Sequence, residues 1–205
     1  MKNLEKVVTR IEADLDEKDK VREGALKASR AIVRSAGSIL RGLHKGIDGK
    51  KEYGDLRKQV SDLSGMLADH PEFAHAGYVE NALQEYAEAG IVQSILDDGD
   101  VPSPEDLRVG HVPYLLGLGD SVGELRRLCL NELKSGKVAR ANHFLEMMED
   151  IYAALMRFDY PDAIVPMRHK QDVARSLLEK TRGEVAVAAS TRNLHEKIEE
   201  VLRKG

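Results

Sequence analysis

Tryptophan is missing from this sequence, and cysteine occurs once, at position 129. A single thiol excludes an internal disulfide and points to a reducing, cytoplasmic setting. Aromatic residues make up only 4 % of the chain, while Ala, Leu, Glu, Lys and Arg dominate, a mixture that favours helix over sheet. No run approaches the roughly 18 apolar residues needed to cross a bilayer. The first residues, "MKNLEKVVTRIEADLDEK", are charged throughout and hold no apolar signal segment. The tetrapeptide "GLGD" at 117–120 matches a membrane-protease element, but the spanning helices such chemistry needs are lacking. There is no phosphate-cradling glycine loop, and "HEKIEE" lacks the second histidine of a zinc-protease motif.

What is present suits a single folded domain over 1–205. Hydrophobic residues are 42 % and charged residues 32 %, enough for a real core. The six prolines, at 71, 102, 104, 113, 161 and 166, all fall where a helix can start or stop. Between them the pattern predicts helices over about 3–46, 51–69, 72–97, 112–135, 137–159 and 166–203. A short extra helix is expected at "SPED", where Ser103 can cap and Pro104 opens the first turn. The expected fold is all-α, an extended bundle of about six to seven long helices.

The net charge is −4, yet its distribution is uneven. Between residues 20 and 51 there are nine Lys or Arg and two acids. At about 100° per residue, Lys20, Lys27, Arg30, Arg34, Arg41 and Lys45 fall within roughly 80° of one helix face. Val21, Ala25, Ile32, Ala36, Ile39 and Leu43 occupy the opposite side. The stripe is about 38 Å long at a helical rise. Charged helix faces are usually solvated and mix both signs; one of nearly pure cation suits a phosphate polymer.

Two pairs of carboxylates sit where acids are costly. In "YVENALQEYAEAGIVQSIL", Glu85 and Glu88 fall on a face otherwise made by Tyr78, Ala82, Ala89, Val92 and Leu96. Buried acids are paired with cations, coordinated to metal, or face a wet cavity. In "YLLGLGDSVGEL", Asp120 and Glu124 are adjacent beside the core stripe of Leu118, Val122, Leu125 and Cys129, with Arg127 in reach of Glu124. Should the two faces meet, four carboxylates converge, a set suited to Mg²⁺ or Mn²⁺. Glycines 117, 119 and 123 would then bare the backbone for a close approach. By contrast, Glu146 and Glu149 share the spacing of Glu85 and Glu88 but lie on an ordinary polar face, so spacing alone carries no information.

These stretches resemble the translin family, and within it the TRAX branch. "YLLGLGDSVGELRRLCLNELKSG" and "LQEYAEA" are similar to that branch's two acidic helices, and "REGALKASRAI" with "ILRGLHKG" to the family's basic region. The shorter 97–111 segment is closer to compact archaeal-type members. The resemblance implies an all-α homo-oligomer, commonly an octamer, enclosing RNA. It also implies a Mg²⁺- or Mn²⁺-dependent endoribonuclease acting on single-stranded or partly unpaired RNA. Glu85, Glu88 and Asp120 then match the catalytic and metal-holding acids, and Glu124 a supporting ligand. Lys20, Arg22, Lys27, Arg30, Arg34, Arg41, His44 and Lys45 fall in the nucleic-acid-binding region. The other translin branch implies a non-catalytic binder of RNA or single-stranded DNA, and no membrane partner is expected in either case.

Overall fold

A computed structural model describes residues 2–204. Among the described residues there are eight helices and no strand: α1 (Lys2–Leu43), α2 (Lys50–Met66), α3 (Pro71–Ala74), α4 (Gly77–Leu96), α5 (Pro104–Leu107), α6 (His111–Lys134), α7 (Val138–Leu155) and α8 (Arg168–Lys204). The all-α expectation holds. None of these helices is long and apolar enough to cross a membrane.

The ends are where local chemistry dictates. At α5 the Ser103 hydroxyl accepts from the Asp106 amide (3.1 Å), and the Asp106 carboxylate accepts from the Ser103 amide (2.9 Å). This reciprocal cap, with Pro104 behind it, makes the short helix. At the α6–α7 corner Gly136 adopts φ +72°, and the Lys137 amide reaches back to the Glu132 carbonyl (2.9 Å). Only glycine takes that left-handed turn freely.

One helix expected over 72–97 is instead two. Ala76 is extended (φ −65°, ψ 137°), which separates α3 from α4. Gly77 is a poor helix former at the joint, and the break turns Val79 and Ala82 into the core (2 % and 0 % exposed). Glu72 stays outside near Lys18 (3.6 Å).

Packing places α4 and α6 at the centre. α4 lies against α1, α2 and α6, while α6 also meets α7 and α8. Of α4, every residue from Tyr86 to Gln93 is buried. The single apolar face expected for α4 is therefore too narrow: this helix is enclosed on all sides, which is why Gly90 and Ile91 are buried with the rest. The outer arms of α1 and α8 lie outside the buried core among the described residues. α1 has no buried residue before Ala25, and α8 none after Val185. Exposed apolar residues run along both arms: Leu4, Val8, Ile11 and Leu15 on one, Val187, Leu194, Ile198 and Val201 on the other.

The closest approach of one helix backbone to another in the centre is at Gly117. A β-carbon there would stand 2.6 Å from the Gln84 carbonyl oxygen and 3.0 Å from the Glu88 amide nitrogen, both backbone. Gly117→Ala is expected to cost about 1–3 kcal/mol of stability, because neither helix backbone can give way. Gly54, in the exposed interior of α2 with open space about its β-position, is the control. Gly54→Ala should gain about 0.4–1 kcal/mol. Thermal or urea unfolding of the two variants checks the contrast.

Candidate active site

The α4–α6 contact at Gly117 brings the two acidic segments face to face. Three residues on from Gly117, Asp120 accepts a 2.5 Å hydrogen bond from the Gln84 side-chain amide of α4. Glu85 and Glu88 follow Gln84 along the same helix, and both feel the charges of Asp120 and Glu124. Glu88 is 7 % exposed, and burial first, then the neighbouring carboxylates, push its carboxyl up to about 8. Glu85 is half-buried and raised for the same reasons, burial being the largest. Lys170 opposes both shifts. The two acidic faces therefore do meet. The pairing of Glu146 and Glu149 has none of this character: they lie outside, bonded to Asn142 and Arg182.

Basic side chains enter the cluster from three segments. The Lys170 ammonium, from the first turn of α8, pairs with Asp120. It gets there because Gly119 has no side chain: a β-carbon at Gly119 would stand 3.0 Å from the Lys170 β-carbon and 3.3 Å from its γ-carbon. Glu124 pairs with the His44 ring at the end of α1 and with Arg127 one turn along α6 (3.1 Å). Glu85 and Glu88 have no ion-pair partner among the described residues. Of the three glycines, 117 and 119 have the clearance role expected of them; Gly123 meets only Leu177 at an ordinary 3.9 Å.

Lys170 and Gln84 lie outside the set of site residues that the sequence suggests. Gln84 sits beside Glu85 in "LQEYAEA", so its place next to the acids is the available signal. Nothing in the sequence connects Lys170 to Asp120, fifty positions away.

In kind, the donors fit a hard divalent cation: all are oxygen, and the site carries more negative charge than its burial tolerates. Asp120 is turned to Lys170 and Gln84, and Glu124 to His44 and Arg127. Accordingly, no three His, Cys, Asp or Glu side chains among the described residues close around one point as metal ligands.

The basic stripe is on the outside of α1, where Lys20, Lys27, Arg30, Arg34 and Arg41 are exposed, and continues to the exposed Lys45 in the turn after its end. None of these six is in an ion pair among the described residues. Arg22, by contrast, is engaged by Asp19 (3.0 Å) and Glu23 (3.6 Å). The core side of α1 is as expected, with Ala25, Ile32, Ala36, Ile39 and Leu43 buried. His44 differs from its neighbours in the stripe: its ring is turned inward to Glu124, and its side chain is 10 % exposed. The stripe thus ends at the acid cluster, with Arg41 and Lys45 on either side of the residue that touches it.

Comparison with known proteins supplies a context for this geometry. The sequence matches the Translin family over residues 5–185. An uncharacterized protein of Methanocaldococcus jannaschii is 37 % identical over 191 residues, covering 91 % of this chain and 85 % of that one. Among solved structures, AfC3PO is 30 % identical with a TM-score of 0.76, covering 90 % of this chain and 98 % of its own. A complex of AfC3PO with duplex RNA superposes with a TM-score of 0.75 at 28 % identity, over 90 % and 97 % of the two chains. Apo-NeC3PO shares the fold at 20 % identity, with a TM-score of 0.79 over 88 % and 96 %.

The raised carboxyl of Glu88 makes a pH prediction. Unfolded, the group titrates near 4.5; folded, near 8. Between these values the native state holds a proton that the unfolded state has released, so stability falls as pH rises through the window. Glu88→Gln should remove that dependence and, at about pH 8 with EDTA present, be more stable than the parent by about 1–3 kcal/mol. Thermal unfolding from about pH 5 to 8.5 measures it; an unchanged slope in the variant would refute the assignment to Glu88.

Proposed function

The chain belongs to the Translin family, and from that premise we propose that it is an RNA-binding protein of the TRAX-like kind, a divalent-metal-dependent endoribonuclease. The convergence of Glu85, Glu88, Asp120 and Glu124 at the end of an unpaired basic stripe carries the reading. A pure binder of phosphates has no use for buried acids at the end of its cationic track, since they repel the ligand the track attracts. RNA as the polyanion is supported by the relative that was solved with duplex RNA.

Each part of the chain has a distinct task. Lys20, Lys27, Arg30, Arg34, Arg41 and Lys45 bind phosphates and set the path of the strand without reading sequence. Arg22 and His44 are at the edges of that track, with one held by acids and the other turned to the site. Glu85, Glu88 and Asp120 would hold Mg²⁺ or Mn²⁺, with Glu124 in support. When bound there, such an ion would supply polarisation of a water and charge stabilisation at a phosphate. Gln84 fixes one oxygen of Asp120, and Arg127 and His44 orient Glu124. The side chains of Asp120 and Glu124 are 27 % and 16 % exposed, so both remain within reach of solvent; a single-stranded or partly unpaired RNA is the substrate that the family resemblance suggests.

The apolar residues on the free arms of α1 and α8 recur mostly at steps of three and four, the pattern of helices that pair. They support a homo-oligomer, for which the family resemblance suggests an octamer. A free, buried Cys129 fits a cytoplasmic setting. The second reading is a non-catalytic binder of RNA or single-stranded DNA. It is favoured by the engagement of Asp120 and Glu124 with cations already in the chain.

Cleavage and binding separate in two sets of variants. Glu85→Ala, like addition of EDTA, should lower the cleavage rate of an unstructured RNA at least about 100-fold, with RNA affinity kept. Retention of cleavage in either case refutes the nuclease assignment. Arg30→Glu with Arg34→Glu should weaken RNA binding about tenfold or more. It should also lower the slope of log affinity against log salt by roughly 0.7 for each phosphate of a single strand that is no longer neutralised. Filter binding across a salt series reads both.

A further inference from the structure

Building on the divalent-cation site just described, we propose that Lys170 is the resident counter-cation of the acid cluster, seated on Asp120 in the place of the metal and displaced when the metal is loaded. An ion pair, a close packing contact and the electrostatics of the neighbouring acids stand behind this. The ammonium is paired with Asp120, whose charge reaches both Glu85 and Glu88. Its aliphatic stem lies close against α6 at Gly119, where a β-carbon would stand 3.0 Å from the Lys170 β-carbon and 3.3 Å from its γ-carbon. Its side chain is 22 % exposed, so this is not a solvated surface pair. Its charge also acts on Glu85 and Glu88, which have no ion-pair partner of their own among the described residues.

Every element around the cluster contributes a charged or polar group. The end of α1 brings His44, α4 brings Glu85, Glu88 and Gln84, α6 brings Asp120, Glu124 and Arg127, and α8 brings Lys170. His44 and Arg127 are committed to Glu124. Lys170 is thus the one cation on the Asp120 side of the site among the described residues. A divalent ion arriving at Asp120 meets this like charge, and the ammonium must leave its oxygen. The four-carbon stem is flexible enough to swing outward, as a rigid guanidinium fork would not be. Metal binding is therefore weaker than the bare acids would allow. In exchange, the acids are compensated whenever no metal is bound.

The measurable consequence is a gain. Removing the charge of Lys170 while keeping its stem should tighten metal binding, an effect that simple structural damage cannot produce. Mn²⁺ is titrated calorimetrically into the full-length wild type, Lys170→Met and Lys170→Arg. Lys170→Met is expected to bind roughly tenfold more tightly, on the scale of one like charge a few ångströms away. Lys170→Arg, which keeps the charge on a fork less able to vacate Asp120, should bind more weakly than the wild type. In EDTA, Lys170→Met should melt below the wild type, and saturating Mn²⁺ should narrow the gap. Equal or weaker Mn²⁺ affinity in Lys170→Met overturns the counter-cation role and leaves the metal site standing. Failure of all three folded proteins to bind Mn²⁺ overturns the metal site itself, and this inference with it. Should Lys170→Met not fold, Lys170→Gln carries the same expectation and the same refutation.

Discussion

The carboxylates of Glu85, Glu88, Asp120 and Glu124 meet at the seam of α4 and α6 and repel one another, most severely at the buried Glu88. Their compensation organises the molecule. Lys170 comes from α8, His44 from the end of α1 and Arg127 from α6 itself, so three segments are tied to the seam by ion pairs and a hydrogen bond. Glu88 is left over, deep and with no ion-pair partner among the described residues, and responds by holding its proton. Like charges in a poorly solvated place cannot all remain ionised unless something positive arrives. The cluster is accordingly built to receive positive charge, whether from a side chain or from solution.

The acids are brought that close by backbone, not by side chains. α6 has no β-carbon at 117 or 119, and each omission admits a different neighbour: the α4 main chain at the first, the Lys170 stem at the second. The central position of α4 does the rest. Enclosed along its middle by α1, α2 and α6, it has no freedom to rotate Glu85 or Glu88 away from their counterparts. Stability is given up locally to fix the geometry of a site, a familiar arrangement where function demands strain or crowding.

Much of this is legible in the sequence, for identifiable reasons. The faces of α1 and the core stripe of α6 follow a strict helical period, and Ala25, Ile32, Leu118 and Val122 are buried as that period requires. The acids stand out because they fall on apolar ground, and the glycines because they have no other purpose. For α4 the helical wheel succeeds only in part: it assumes one buried face, whereas the middle of this helix is buried all round. The break at Ala76 is hidden because nothing local is strong enough to force it; the need to bury Val79 does so from afar. Lys170 is invisible, being one of many basic residues and distant from Asp120 in the chain. A contact of that kind exists only once α8 has folded back across α6.

The first helix has a further property. It runs without a break from Lys2 to Leu43, about 63 Å at a helical rise. Its apolar arm, its cationic track and, one residue past its end, the ring that holds Glu124 are all on one covalent rod. One element therefore sets the relative placement of all three: up to Leu43, the spacing between the exposed arm, the cationic track and the segment that presents His44 is fixed by the helical rise.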